Sequence, residues 1–192
     1  MKLLLASTSP YRRELLSRLG LPFDVAAPVC DETPLPGESA LETAVRLARI
    51  KAQSLKERHP DALLIGSDQV ALLDGTQLGK PGTPEKARAM LTSMSGKTLA
   101  FHTALAVYNA RTGRLQEAVD ITHVSMRTLT PAMIDAYIER EPDALYCAGA
   151  AKSEGLGGAL IERIVSADPN ALIGLPLFAL VTMLQHEGVE VL

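Results

Sequence analysis

Residues 62–73 read Ala-Leu-Leu-Ile-Gly-Ser-Asp-Gln-Val-Ala-Leu-Leu. A run this apolar belongs to a strand buried in a sheet, and only a chain that can cover that sheet with helices can keep it there. The break at Gly66-Ser67-Asp68-Gln69 predicts one buried strand that ends in polar residues, followed by a second strand. The rest of the chain supplies the covering helices in alternation with further strands. Lys2 to Ala6 reads as a strand and Pro10 to Gly20 as a helix, with Ser9 at its cap, Pro10 in its first turn and Gly20 closing it. Phe23 to Ala27 is a short strand. After the Pro/Glu-rich loop Asp31 to Ser39, Leu41, Ala44, Val45, Ala48, Ala52 and Leu55 recur at helical spacing.

Gly79-Lys80-Pro81-Gly82 marks a turn, and Thr83-Pro84 starts a helix that runs to Met94. Thr98 to Asn109 and Leu115 to Arg127 read as long strands joined in a hairpin through Arg111-Thr112-Gly113. A helix over Pro131 to Arg140 follows, then strands over Tyr146 to Ala150 and Ala159 to Ser166. Gly174-Leu175-Pro176 precedes a helix ending near His186, and Val189 to Leu192 is a terminal strand. Steps of βα combined with a hairpin predict an α/β domain on a mixed sheet. With 192 residues, 47% of them hydrophobic, the chain suits one domain, possible as two lobes.

Charge narrows the function. A net charge of -3 and a pI near 5.8 argue against a protein that coats polymeric nucleic acid, so any nucleotide partner should be small and held locally. The apolar start is too short for a secretory signal or a membrane span, which predicts a cytoplasmic protein with no membrane partner. Cys30 and Cys147 lack zinc spacing and are expected to be free, buried thiols.

Several polar groups could carry chemistry. A strand that turns into a helix through Ser7-Thr8-Ser9-Pro10 points unpaired amides and a helix dipole at the turn, where an anion is favoured and Arg12 can add to the attraction. Asp68, at the carboxyl end of a buried strand, stands where α/β sheets open their ligand crevice. Lys80, fixed between glycines and a proline, can meet a phosphate, and Lys51 stands at the edge of a helix stripe. Asp31 and Glu32, together with Asp68, could hold a hard cation. Each has a plainer reading by itself: Ser9 as a simple cap, Asp68 as a turn residue, Lys51 as a snorkelling lysine, Asp31 and Glu32 as solvated loop charges. No His pair falls at i,i+4, and there is no G-x-S-x-G, Walker or G-x-G-x-x-G motif.

Taken in order, Ser7-x-Ser9-Pro10-x-Arg12, Asp31-Glu32, Leu47-Ala48-x-x-Lys51-Ala52, Gly66-Ser67-Asp68, Gly79-Lys80-Pro81, Cys147-Ala148-Gly149 and Gly174-Leu175-Pro176 resemble the Maf family of nucleoside triphosphate pyrophosphatases over nearly the whole chain. The resemblance implies an α/β fold of two lobes on a long mixed sheet, related to inosine triphosphate pyrophosphatases, with the cleft between the lobes. It implies hydrolysis of a nucleoside triphosphate to the monophosphate and pyrophosphate, a homodimer, and a divalent metal, Mg²⁺ or else Mn²⁺ or Co²⁺. Carried over by motif, Asp68 takes the place of the general base, while Glu32, Arg12, Lys51 and Lys80 match other polar cleft positions. Asp68 and Glu32 would hold the metal, with Asp68, Glu32 and Lys80 as the catalytic set.

Three departures narrow the branch. Many Maf sequences carry Arg after the motif proline, Thr after the aspartate and Gln in the later loop, where this chain has Tyr11, Gln69 and Glu154. Those residues resemble the branch that hydrolyses 7-methyl-GTP rather than dTTP and UTP. The resemblance leaves two alternatives: a Maf pyrophosphatase of different or broader specificity, and a nucleotide-binding regulator of division and septum formation.

Overall fold

The structure, a computed structural model, describes residues 1–192. Its strands are β1 (Lys2–Ala6), β2 (Phe23–Ala26), β3 (Ala62–Leu73), β4 (Thr76–Leu78), β5 (Thr98–Asn109), β6 (Leu115–Met126) and β7 (Ile161–Val165). The helices are α1 (Pro10–Ser17), α2 (Ala40–Gln53), α3 (Pro84–Met94), α4 (Pro131–Arg140) and α5 (Leu177–His186). The strands form one seven-stranded sheet in the order β2-β1-β3-β5-β6-β7, with β4 beside β3. β1 runs parallel to β2 and β3, whereas β4 is antiparallel to β3 and β7 to β6, so the sheet is mixed as the sequence predicts.

Helix starts follow the capping chemistry of the sequence. Ser9, Thr83 and Thr130 each accept a backbone N–H at a helix start, and a proline follows each of them inside the first turn. At α2, Ser39 and Glu42 form a reciprocal capping box.

The chain divides into two compact units. The first comprises Met1–Gln69, Thr103–Asp120 and Asp168–Leu192. Its core packs Leu3, Leu5, Leu63, Ile65, Leu105 and Val107 of the sheet against Leu15 and Leu16 of α1 and Leu180 and Leu184 of α5. The second comprises Val70–His102 and Ile121–Ala167. There, Ala87, Leu91 and Met94 of α3 and Ile134 and Tyr137 of α4 are buried. No helix is long and apolar enough to cross a membrane.

Four expectations need correction. Residues 62–73 form one strand rather than two, because Ser67, Asp68 and Gln69 all find polar partners and need not interrupt the ladder to reach water. Residues 146–150 are not a strand but 3₁₀ turns, with Gly149 at φ +73° in the left-handed region. The last residues, 189–192, form no strand. Both cysteines are free, as expected, but each is only half-buried.

α2 lies so close to β3 that a Cβ on Gly66 would run into the Ala48 carbonyl oxygen and come within 2.6 Å of the Ala52 nitrogen. Both obstacles are helix backbone, so the strain has no side chain to absorb it. Gly66→Ala should lower the stability measured by urea unfolding by about 3 kcal/mol. A change under about 0.5 kcal/mol, the range of neutral surface substitutions, would mean that the helix can slide away from the strand.

Candidate active site

β3 carries Asp68 into the interior of the first unit, and α2 brings Lys51 to meet it. Both are buried, at 7% and 4% relative exposure. Lys51 Nζ donates to Asp68 Oδ1 at 2.6 Å and lies 2.6 Å from Glu32 Oε1. One ammonium therefore bridges a buried carboxylate and an exposed one from the 31–39 loop. The close packing at Gly66, two residues before Asp68, is what brings the helix near enough for this contact. Burial raises the Asp68 pKa above the ordinary aspartate value, and the charge and hydrogen bond of Lys51, with the charge of Arg12, pull against that rise.

The turn after β1 is built by its own hydroxyls. Ser7 Oγ accepts the Ser9 N–H at 3.0 Å, and Ser9 Oγ accepts the Arg12 N–H at 3.4 Å. Two amides that the sequence leaves available for an anion are thus already paired, while each hydroxyl keeps its own proton to donate. Tyr11 is half-buried on the first turn of α1, and Arg13 points to solvent. Arg12 Nε donates to the Gly174 carbonyl at 2.9 Å, which fixes the guanidinium by its inner edge. Burial lowers the Arg12 pKa, opposed by the charges of Asp68 and Glu32.

That carbonyl belongs to a segment the sequence reading did not assign to the site. Ser67 Oγ lies within hydrogen-bond distance of both the Gly174 and the Ala104 carbonyls, at 2.9 and 2.8 Å. Gln69 Nε2 reaches Thr103 Oγ1 and the Ala171 and Leu172 carbonyls, at 2.9–3.0 Å. Asp168 anchors the segment, accepting the Asn170 and Phe178 N–H groups at 2.9 and 2.7 Å. Gly174 sits at φ +126°, and a Cβ there would come within 3.4 Å of Arg12 Nε. Gln69, read from sequence as a specificity residue, thus spends its amide nitrogen on holding the 171–174 segment. Only Gly174-Leu175-Pro176 in the sequence pointed there, and it gave no hint of the partners.

Lys80 and Glu154 belong to the second unit. Lys80 is exposed on a turn pinned by the Gly82 N–H on the Leu145 carbonyl, 2.9 Å, and the Gly149 N–H on the Gly79 carbonyl, 3.3 Å. Glu154 is exposed on a loop organised around Glu141, which takes the Lys152 ammonium at 3.2 Å and the Leu156 N–H at 3.0 Å. The Tyr137 hydroxyl accepts the Lys152 N–H in the same loop, and burial lifts its pKa to about 12.

Glu32 and Asp68 offer two convergent carboxylates, and no group of three or more His, Cys, Asp or Glu side chains is placed to hold a metal. An oxygen-only pair suits a hard divalent ion that completes its shell with phosphate oxygens and water.

The family model described as Maf-like protein matches residues 2–187. The chain belongs to the Maf family. A protein of Chromobacterium violaceum is 68% identical over 192 residues, the whole length of both chains. One of Thiobacillus denitrificans is 58% identical over 190 residues, 99% of this chain and 94% of its own. One of Neisseria gonorrhoeae is 54% identical over 192 residues, 100% of this chain and 98% of its own. All three relatives are named 7-methyl-GTP pyrophosphatase.

Because the folded-state pKa of Asp68 lies above the unfolded value, the native state binds this proton more tightly. The group's contribution to stability therefore falls as pH rises from the unfolded value through the folded one. Lys51 limits that loss. In metal-free buffer Lys51→Met should cost about 3–5 kcal/mol at neutral pH, by leaving a buried carboxylate unpaired. The deficit should shrink as pH falls, because Asp68, held above the ordinary aspartate value by burial and no longer opposed by Lys51, takes up its proton before the ordinary carboxyl range is reached. A deficit independent of pH in chemical denaturation would contradict the pairing.

Proposed function

We propose that this protein is a nucleoside triphosphate pyrophosphatase that hydrolyses 7-methyl-GTP to 7-methyl-GMP and pyrophosphate. In the cytoplasm it would keep a modified nucleotide out of nucleic acid. The observation that carries the reading is a buried carboxylate, Asp68, paired with Lys51 in a Maf chain that matches proteins of that name over 94–100% of their length. A homodimer is part of the proposal, by membership of the family.

Water must attack the α-phosphorus, and the charge that builds on the departing pyrophosphate must be offset. Asp68 orients this water and accepts its proton. Its raised pKa makes it a stronger base than a solvated aspartate, while Lys51 keeps it ionised and in place. Arg12 binds phosphate oxygens through its Nη groups, since its Nε is committed to Gly174. Ser7 and Ser9 donate their hydroxyl protons, and Lys80 supplies a further point charge. Asp68 and Glu32 would hold a divalent cation, which when bound would neutralise phosphate charge and make water more acidic.

The base is read by two residues. N7-methylation leaves a positive charge on the guanine ring, which favours stacking on the face of Tyr11. Glu154 accepts hydrogen bonds from N1–H and the 2-amino group, a donor pair that pyrimidines lack.

Purified protein with Mg²⁺ should release pyrophosphate from 7-methyl-GTP faster than from dTTP or UTP. Equal or reversed rates would remove the substrate assignment. Glu154→Ala should narrow the preference about tenfold, one side-chain readout of a base being worth about 1–3 kcal/mol. Asp68→Asn should lower kcat by about a thousandfold, within the range for a lost general base. That substitution also separates an enzyme from a binding protein, because only the enzyme loses its measured activity. In the parent, kcat/KM should fall as pH drops and Asp68 takes up its proton.

A further inference from the structure

The loop that presents Glu32 is folded around a charge rather than an apolar cluster. Leu35, its one large hydrophobic residue, is 53% exposed, whereas the Glu38 side chain is 9% exposed. Glu38 faces Arg46 of α2 in a fork, with Nε to Oε1 at 2.6 Å and Nη2 to Oε2 at 2.8 Å. Oε2 also accepts the Leu35 N–H at 3.1 Å and the Thr43 hydroxyl at 3.0 Å. Arg46 Nη2 donates again, to the Thr33 carbonyl at 3.1 Å, so the same guanidinium grips the loop at both ends. Asp31 Oδ1 then accepts the Thr33 N–H at 2.9 Å, closing the turn on the two sides of Glu32.

Glu32 itself is 62% exposed on its side chain, yet it lies 2.6 Å from the Lys51 ammonium. The Lys51 end of this pair is buried and the Glu32 end is open to solvent, so water screens the carboxylate and weakens the hold of the ion pair on it. The backbone that carries it therefore has a share in setting its position. Arg46 and Lys51 lie on one helix, so the loop is tied to the element that also supplies the bridging cation.

We propose that Glu38 and Arg46 are positioning residues for the reaction, a clamp that registers the 31–38 loop on α2 and so sets Glu32 against Lys51 and Asp68. The inference rests on the assignment of Glu32 to the reacting centre made above. The clamp is charged throughout the working range, because the Arg46 hydrogen bond holds the Glu38 pKa down at about 2. A bidentate pair with two further donors on one oxygen fixes the loop's direction as well as its distance, which an apolar contact would not do.

A double-mutant cycle decides the matter, using Glu32→Gln, Glu38→Gln and both together. Activity on 7-methyl-GTP is measured alongside thermal unfolding. Glu38→Gln should lower kcat/KM about tenfold, while adding it to Glu32→Gln should cost less than about twofold more, because residues that act through one another are not additive. If the two losses multiply, or if Glu38→Gln is silent in the parent, the clamp does not act through Glu32 and the proposal is overturned. If Glu32→Gln is itself silent, the assignment of Glu32 fails, and the clamp's role in turnover fails with it. Should Glu38→Gln not fold, Arg46→Lys replaces it in the cycle with the same expected pattern, since lysine keeps the charge of α2 but cannot form the fork.

Discussion

The Lys51 ammonium between Asp68 and Glu32 is the contact on which the rest of the site depends. Asp68 sits on a strand that would ordinarily exclude a charge, and desolvation pushes its pKa up. A buried carboxylate is tolerated only with a partner at close range, and Lys51 at 2.6 Å is that partner. The close approach of α2 to β3 at Gly66 makes the contact possible, and the loop held by Glu38 and Arg46 adds Glu32 to it. Packing, backbone geometry and electrostatics are thus three descriptions of one arrangement.

A second arrangement fixes Arg12, the cation proposed to meet the substrate. Gly174 presents its carbonyl to Arg12 and Ser67 from a segment anchored by Asp168 and Gln69. The guanidinium is thereby held in one orientation before any ligand arrives. Preorganisation of this kind removes reorganisation cost at the moment of reaction, where oriented charge is most useful.

Much of the fold is legible in the chain because its signals are local. Ser9-Pro10, Thr83-Pro84 and Thr130-Pro131 mark helix starts, and the spacing of Ala44, Ala48 and Ala52 gives the buried face of α2. Where sequence reading went astray, a long-range partner reversed a local signal. Polar residues at 67–69 predicted a break in the strand, but Ala104, Lys51 and Thr103, distant in sequence, satisfy them in place. The apolar stretch 146–150 predicted a strand, and the left-handed Gly149 turns it instead. For the site, Asp68, Glu32 and Lys51 could be named through the resemblance to the Maf motifs, but the convergence of the two carboxylates on the Lys51 ammonium could not. The Glu38–Arg46 clamp and the Asp168 anchor carry no local signature at all. Their partners are set by the path of loops, which no periodicity describes.

The claim that joins these parts is that Asp68 directs water to the α-phosphorus of the triphosphate. Hydrolysis in water labelled with oxygen-18, followed by mass analysis of both products, tests it at the reacting atom. The account requires the label in 7-methyl-GMP and none in pyrophosphate. Label in pyrophosphate would place the attack on the β-phosphorus and contradict the mechanism.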